Sequence, residues 1–185
     1  MQTDIIVITA LDMELDARNL PPGIGIYYSG IGKINAAITT MRAIERSKPK
    51  LIINFGTAGA VHPDISGLLT IQRVVQRDMI AESLAPRGRV PFCERPNEYF
   101  SKSGEFSCGT GDSFVTSHDP WLAEQNITVV DMELFAIAAV AYEQNIEWAS
   151  YKFVTDHANE SSGQDWSTKV NHGEQQFLEQ LRKII

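Results

Sequence analysis

Residues 25–59 read GIYYSGIGKINAAITTMRAIERSKPKLIINFGTAG, and the order of elements in that stretch decides the fold. Gly25 to Ser29 is a short strand-like run that leads into the turn Gly30-Ile31-Gly32-Lys33. Ile34, Ala37, Ile38, Met41 and Ile44 then recur at offsets of three and four, which predicts an amphipathic helix brought to a stop by Pro49. Leu51 to Phe55 is apolar again and is expected to break at Gly56-Thr57-Ala58-Gly59. Strand, turn, helix, strand in this order needs crossover connections, hence a largely parallel sheet.

Working outward, Asp4 to Ala10 (DIIVITA) predicts a buried strand that runs into Leu11-Asp12-Met13-Glu14. Residues 66–80 predict a strand or strand pair, partly exposed, and residues 81–105, thinned to Pro86, Arg87, Gly88, Arg89 and Pro91, predict one long loop. A strand over 105–110 ends at Gly109-Thr110-Gly111-Asp112, and a short one follows over 127–130. Residues 131–145 (DMELFAIAAVAYEQN), apolar nearly all round, predict a buried helix. A strand over 147–155 stops at Asp156 before the loop His157-Ala158-Asn159, and an amphipathic helix over 171–185 closes the chain with Phe177, Leu181 and Ile184 on one face. The expected architecture is α/β and three-layered, with a largely parallel or mixed central sheet flanked by helices, in a single domain over residues 1–185.

Composition narrows the function classes. With 185 residues, 43% of them hydrophobic, the chain can bury a continuous core. Its 23 Asp and Glu against 16 Lys and Arg give a net charge of −7, which speaks against nucleic acid as a partner, because phosphate binding runs on surplus basic residues. No apolar run reaches the ~18 residues of a membrane span, and Met1-Gln2-Thr3-Asp4 does not open a secretory signal, so a cytoplasmic protein without membrane contact is expected. Cys93 and Cys108 have neither disulfide-framework nor zinc spacing and read as reduced packing residues. His62, His118, His157 and His172 are scattered, so no metal site is expected.

Three acids stand where the pattern does not want them. Glu14 follows an apolar strand, Glu133 lies in an apolar helix, and Asp156 ends a strand. Each alone is compatible with a helix cap or a first-turn acid facing the dipole. Together they point to one pocket, since ligands of parallel α/β sheets gather at the carboxyl ends of strands. Glycine turns at Gly30-Ile31-Gly32, Gly56-Thr57-Ala58-Gly59 and Gly109-Thr110-Gly111 would let backbone N–H groups approach a ligand. The first is not a dinucleotide fingerprint, because Asn35 stands where its third glycine should be.

In order along the chain, Ser29-Gly30-Ile31-Gly32-Lys33-Ile34-Asn35-Ala36-Ala37, Ile53-Asn54-Phe55-Gly56-Thr57-Ala58-Gly59, Gly111-Asp112-Ser113-Phe114, Val130-Asp131-Met132-Glu133 and Val154-Thr155-Asp156 resemble the 5′-methylthioadenosine/S-adenosylhomocysteine nucleosidases of the nucleoside phosphorylase superfamily. Lys152 and Thr155, with the spelling Gly109-Thr110-Gly111-Asp112-Ser113, look closer to the plant-type branch. The resemblance implies that Asp156 is the general acid that protonates N7 of adenine, that Glu14 positions and deprotonates the attacking water, and that Glu133 holds the ribose hydroxyls. It further implies that Met132 packs on the sugar and that Thr57, with the neighbouring Ala58 and Gly59, lies near water and ribose. Phe114 and Val115 would form the adenine site. No cofactor is implied, and the partners would be a small purine nucleoside and a second copy of the chain in a homodimer, with the loop around Pro91-Phe92 at the contact.

The chemistry agrees with these roles. Adenine is a poor leaving group unless a ring nitrogen is protonated, and the ribose left behind carries oxocarbenium character, so an acid on the base side and carboxylates near the sugar meet both needs. Phosphorylases of the superfamily place arginines for phosphate in the first strand-end loop and just before the third strand's glycines. Here Leu11-Asp12-Met13-Glu14 and Asn54 stand instead, and acids repel phosphate, which favours water as nucleophile. Phosphorolysis by a purine nucleoside phosphorylase and a non-catalytic purine-nucleoside binding module are the alternatives. The segments 15–28 and 79–105 are shorter than in typical members, and Leu134-Phe135 follow Glu133 where relatives carry small residues, which leaves the 5′ substituent open: adenosine itself, futalosine-like or other purine nucleosides also fit. Arg77, Arg87 and Arg89 could reach a charged substrate tail, but solvated surface positions are expected for them.

Overall fold

The computed structural model describes residues 4–158 and 162–185; residues 1–3 and 159–161, with Met1, Gln2, Thr3 and Asn159 among them, lie outside that range. Strand β1 (Ile5–Thr9) runs parallel to β2 (Gly25–Tyr28) on one side and to β3 (Leu51–Ala60) on the other, with α1 (Lys33–Ser47) as the crossover. The Gly30-Ile31-Gly32 turn is a true turn: Gly30 and Gly32 have φ of 77° and 98°, a region that disfavours any side chain. Helix α1 forms as its periodicity predicts but, of the isoleucine stripe, buries only Ile44. Its packed face is Ala36, Thr40, Ala43, Ile44 and Ser47, whereas Ile34 is 73% and Ile38 46% exposed. Small residues on that face let α1 approach helix α3 (Leu134–Glu143), itself rich in alanine.

β3 does not break at its glycines. It continues to Ala60, and Gly56, Thr57, Ala58 and Gly59 pair with Lys152, Phe153, Val154 and Asp156 of the parallel strand β8 (Glu147–Asp156). The glycines serve close approach here, not turning. A Cβ on Gly56 would sit 3.4 Å from both Glu14 Oε1 and Lys152 Nζ, and one on Gly59 only 2.7 Å from Asp156 Oδ1.

The rest of the sheet closes on itself. β4 (Leu68–Gln76), a single strand over the 66–80 region, pairs antiparallel with β8 and parallel with β6 (Phe106–Thr110); β6 is parallel to β7 (Val129–Asp131), and β7 returns antiparallel to β3 at Gly59 and Ala60. The circuit β3-β8-β4-β6-β7 leaves β2 and β1 as an extension on one side. The expected 81–105 loop contains one more strand, β5 (Glu98–Phe100), which covers the edge of β4. Its three residues after Pro96 are too few to show a period.

Alternation along the strands divides the core. Ile6, Ile8 and Ile52 pack under α1 and α3, while Val7, Ile53 and Phe55 pack with Ala149 and Tyr151 under α5 (Glu174–Leu181). Phe55 stacks on Phe177 at 4.3 Å between ring centroids; α5 seats Phe177, Leu178 and Leu181, and Ile184 stays partly exposed. The mixed sheet flanked by helices is thus the expected α/β class. Two short helices, α2 (Pro120–Glu124) and α4 (Ser162–Lys169), complete it. Among the described residues no helix is long and apolar enough to cross a membrane.

Candidate active site

One edge of β3 changes partner part-way along. β1 covers it as far as Asn54 and β7 from Gly59 onward, so between those residues the edge pairs with neither strand. A pocket opens at this switch point, where crevices in α/β sheets form. Glu14, Glu133, Asp156, Thr57, Ala58, Gly59, Phe114, Val115 and Met132 all line it. The three acids are buried and Phe114 stands half-exposed at the mouth.

Glu14 is held in the turn after β1, not at a helix start. Oε2 accepts from Thr9 Oγ1 (3.1 Å) and the Leu11 N–H (3.0 Å), and Oε1 accepts from the N–H and Oγ1 of Thr57 (2.9 and 3.0 Å). The Thr57 N–H is free for this because β3 has no strand on that edge there. Trp166 of α4 donates its indole N–H to Thr57 Oγ1 at 2.9 Å; an indole can only donate, so the Thr57 hydroxyl proton is directed to Glu14.

Asp156 owes its aim to an irregularity. Ala58 pairs with Val154 and Gly59 with Asp156, so Thr155 is an extra residue that re-aims the strand end, as bulges beside sites do. Asp156 Oδ1 then lies over Gly59 and accepts from the Ala158 N–H (3.0 Å), and Oδ2 accepts from Thr155 Oγ1 (3.0 Å).

Glu133 is the N-cap residue of α3, not an interior residue, and its side chain does not cap that helix. Asp131 does so instead: its Oδ2 accepts from the N–H groups of Glu133 (3.3 Å) and Leu134 (2.8 Å), and Thr110 Oγ1 accepts from the Phe135 N–H (2.9 Å). Glu133 Oε1 is thereby free to accept from the Gly32 N–H at 2.9 Å, tying α3 to the glycine turn before α1. Burial first, then the Asp131 charge and more weakly Glu14, push the Glu133 carboxyl up to about 7, against the pull of Lys152 and the Gly32 N–H.

Beneath the acids lies a fully buried ion pair, Lys152 Nζ to Asp131 Oδ2 at 2.7 Å. Burial opposes the ammonium, but Asp131 and then Glu133 outweigh it and hold Lys152 above its ordinary range; burial likewise opposes the Asp131 charge, and Lys152 brings its carboxyl below the usual range. Cys108 does more than pack, since its Sγ donates to Asp131 Oδ1; neither cysteine forms a disulfide.

Two arginines differ from expectation. Arg77 is not a solvated loop residue: it is buried, lines the pocket and donates to Gly111 O, Ser113 O and Ser113 Oγ. Arg87 is half-buried in a two-pronged ion pair with Asp119. Asn54 does not line the pocket; it binds Ile8 O and Ser150 Oγ within the sheet. Trp166 has no signature in the sequence, because α4 (SGQDWSTK) has no apolar period. Among the described residues no group of three His, Cys, Asp or Glu could hold a metal ion.

A family model described as the phosphorylase superfamily matches residues 23–185. A 5′-methylthioadenosine/S-adenosylhomocysteine nucleosidase of Staphylococcus haemolyticus is 30% identical, over 85% of this chain and 80% of the relative. The chain belongs to that nucleosidase family of the phosphorylase superfamily. Solved structures share the fold: a mutant MTAN of Helicobacter pylori with 5′-methylthioadenosine in its active site (TM-score 0.87, 20% identity, all of both chains covered) and the futalosine hydrolase of Helicobacter pylori (TM-score 0.88, 19% identity, 99% of this chain and 98% of that one).

Proposed function

We propose that the protein is a single-domain N-glycosyl hydrolase that cleaves an adenosine-type nucleoside, such as 5′-methylthioadenosine or S-adenosylhomocysteine, to adenine and the free sugar. The observation that carries this is the convergence of three buried carboxylates, Glu14, Glu133 and Asp156, on one pocket whose mouth bears Phe114 and Val115. A pocket that only bound a purine would not need three costly buried acids. Phe114 and Val115 take the base and Met132 packs on the sugar. Asp156 gives its proton to N7 as the C1′–N9 bond breaks and the bonding pair leaves with adenine. Glu133 accepts from the ribose hydroxyls. Water adds to C1′ and yields a proton to Glu14. An oxocarbenium-like sugar asks for orientation of that water more than for its prior deprotonation, and a carboxylate fixed by four donors supplies orientation. Water is favoured over phosphate because Arg77, the one cation that lines the pocket among the described residues, is engaged by Gly111 and Ser113, and Lys152 beneath it is held by Asp131.

Incubation with 5′-methylthioadenosine, S-adenosylhomocysteine, adenosine and a futalosine-type nucleoside, with and without phosphate, tests this. Adenine and a free sugar should appear at equal rates in both buffers. Strict phosphate dependence with a sugar 1-phosphate would make the protein a phosphorylase, and binding without turnover would make it a binding module. We also place the protein in the cytoplasm as a homodimer, on its two unpaired cysteines and on the exposed apolar side chains Ile34, Ile38 and Phe92, the last 95% exposed. Sedimentation of the same sample should show a dimer; a fully active monomer would remove that part.

Glu133 sets a pH dependence. The hydroxyls of ribose donate to it, so the ionised form is the one that binds. In the free enzyme it protonates as pH falls through about 7, and kcat/KM should drop about tenfold per pH unit below that point. Bound hydroxyls favour the charge, so the limb in kcat should lie at lower pH. A kcat/KM profile flat from pH 8 to pH 5 would refute the role. Stability runs the other way: the carboxyl is raised above its ordinary 4.5, so its contribution is fully present below about pH 4.5 and is lost as pH rises through about 7.

A further inference from the structure

Arg77 is a buried charge at the pocket that the reaction above does not use. It follows β4, and its guanidinium crosses Gly111, where a Cβ would lie 2.9 Å from Arg77 Cζ. Nη2 donates to the Gly111 carbonyl (3.1 Å) and the Ser113 carbonyl, and Nη1 to Ser113 Oγ (3.2 Å). The arginine is locked from behind: Arg87 Nε donates to the Arg77 carbonyl at 2.7 Å, while Arg87 forks onto Asp119 and lies 4.5 Å over the Trp121 ring. The neighbouring Asp78 holds the same segment from the other side, accepting from the Asp112 N–H at 2.8 Å and from Lys33 Nζ at 2.5 Å.

This placement is expensive. Burial disfavours the guanidinium charge, and Arg77 Nε is buried without a hydrogen-bond partner among the described residues. A planar fork holds two carbonyls and a hydroxyl of one short segment from two nitrogens at fixed spacing, a geometry that the single nitrogen of a lysine does not reproduce. The segment so held leads directly into Phe114 and Val115.

We propose that Arg77 is a positioning residue for base recognition, clamping Gly111–Ser113 so that Phe114 and Val115 present one fixed surface to the purine. The inference rests on the reading that those two residues form the base end of the site. It separates holding the base from protonating it: Arg77 governs how well the pocket is preformed, and Asp156, on β8, governs cleavage.

The test compares wild type, Arg77→Lys and Arg77→Met by hydrogen exchange of the ligand-free protein, adenine binding by calorimetry, and kcat and KM with 5′-methylthioadenosine. In both variants, exchange of the 111–113 amides should rise by about tenfold or more while β1 and β3 amides keep their protection. Adenine affinity should weaken and KM should rise by about tenfold, with kcat changed less than about threefold. Wild-type behaviour of Arg77→Lys would overturn the clamp, since charge alone would then suffice. So would unchanged exchange at 111–113 in Arg77→Met, a loss of protection spread over β3, or a fall in kcat with KM unmoved. If the wild type cleaves no nucleoside, the proposed reaction fails, while exchange still decides whether Arg77 holds the segment.

Discussion

Replacing Asp156 with Asn should lower kcat with 5′-methylthioadenosine by about 10²–10⁴-fold, the usual worth of a positioned general acid, with KM within a few-fold of wild type. The amide keeps the size of the carboxyl, and its oxygen can still accept from the Ala158 N–H that orients the side chain. What it lacks is a proton to give to N7. A ribosyl substrate with p-nitrophenolate as leaving group makes the test specific, because that anion departs without protonation. On it Asp156→Asn should run near the wild-type rate. Equal losses on both substrates would mean that the variant has damaged the pocket and that Asp156 is not the acid. A kcat for the adenine nucleoside within about tenfold of wild type would exclude the role altogether.

The three acids were legible because burial of a carboxylate violates an apolar pattern, and such violations show in a single chain. Their geometry was not. Asp156 reaches Gly59 through an extra residue, Thr155, in the β8 register, and a bulge leaves no mark on period-two alternation. Gly56 and Gly59 were visible as glycines, yet their purpose, room for Glu14, Lys152 and Asp156, depends on which strand lies alongside. Glycine without its neighbours reads as a turn.

The same limit applies to α1 and Arg77. Periodicity marks Ile34 and Ile38 as a face, but the face that packs is the one whose small side chains let α3 come close. Closure of β3-β8-β4-β6-β7 is a property of long-range pairing and brings the end of β4 to the pocket. Arg77, which lies near a polar loop in sequence, becomes a buried cation only through that closure.

The second large effect concerns Lys152 and joins fold to chemistry. Lys152→Met should destabilise the protein by about 3–5 kcal/mol in urea unfolding, because it leaves Asp131 charged, fully buried and without its ammonium 2.7 Å away. Asp131 cannot withdraw, since its other bonds cap α3 and fix Thr110. Lys152 also pulls the Glu133 carboxyl down, so its loss should move the acid limb of kcat/KM above about 7. The double variant Asp131→Asn with Lys152→Met separates the two consequences. An asparagine oxygen can still accept from the Leu134 N–H, and the pair leaves no orphaned charge behind, so much of the stability should return. Glu133 would then have lost a like charge and an opposite charge together, and its limb should fall back toward that of wild type. A Lys152→Met protein as stable as wild type, or a limb that stays in place, would show that the pair does not govern Glu133.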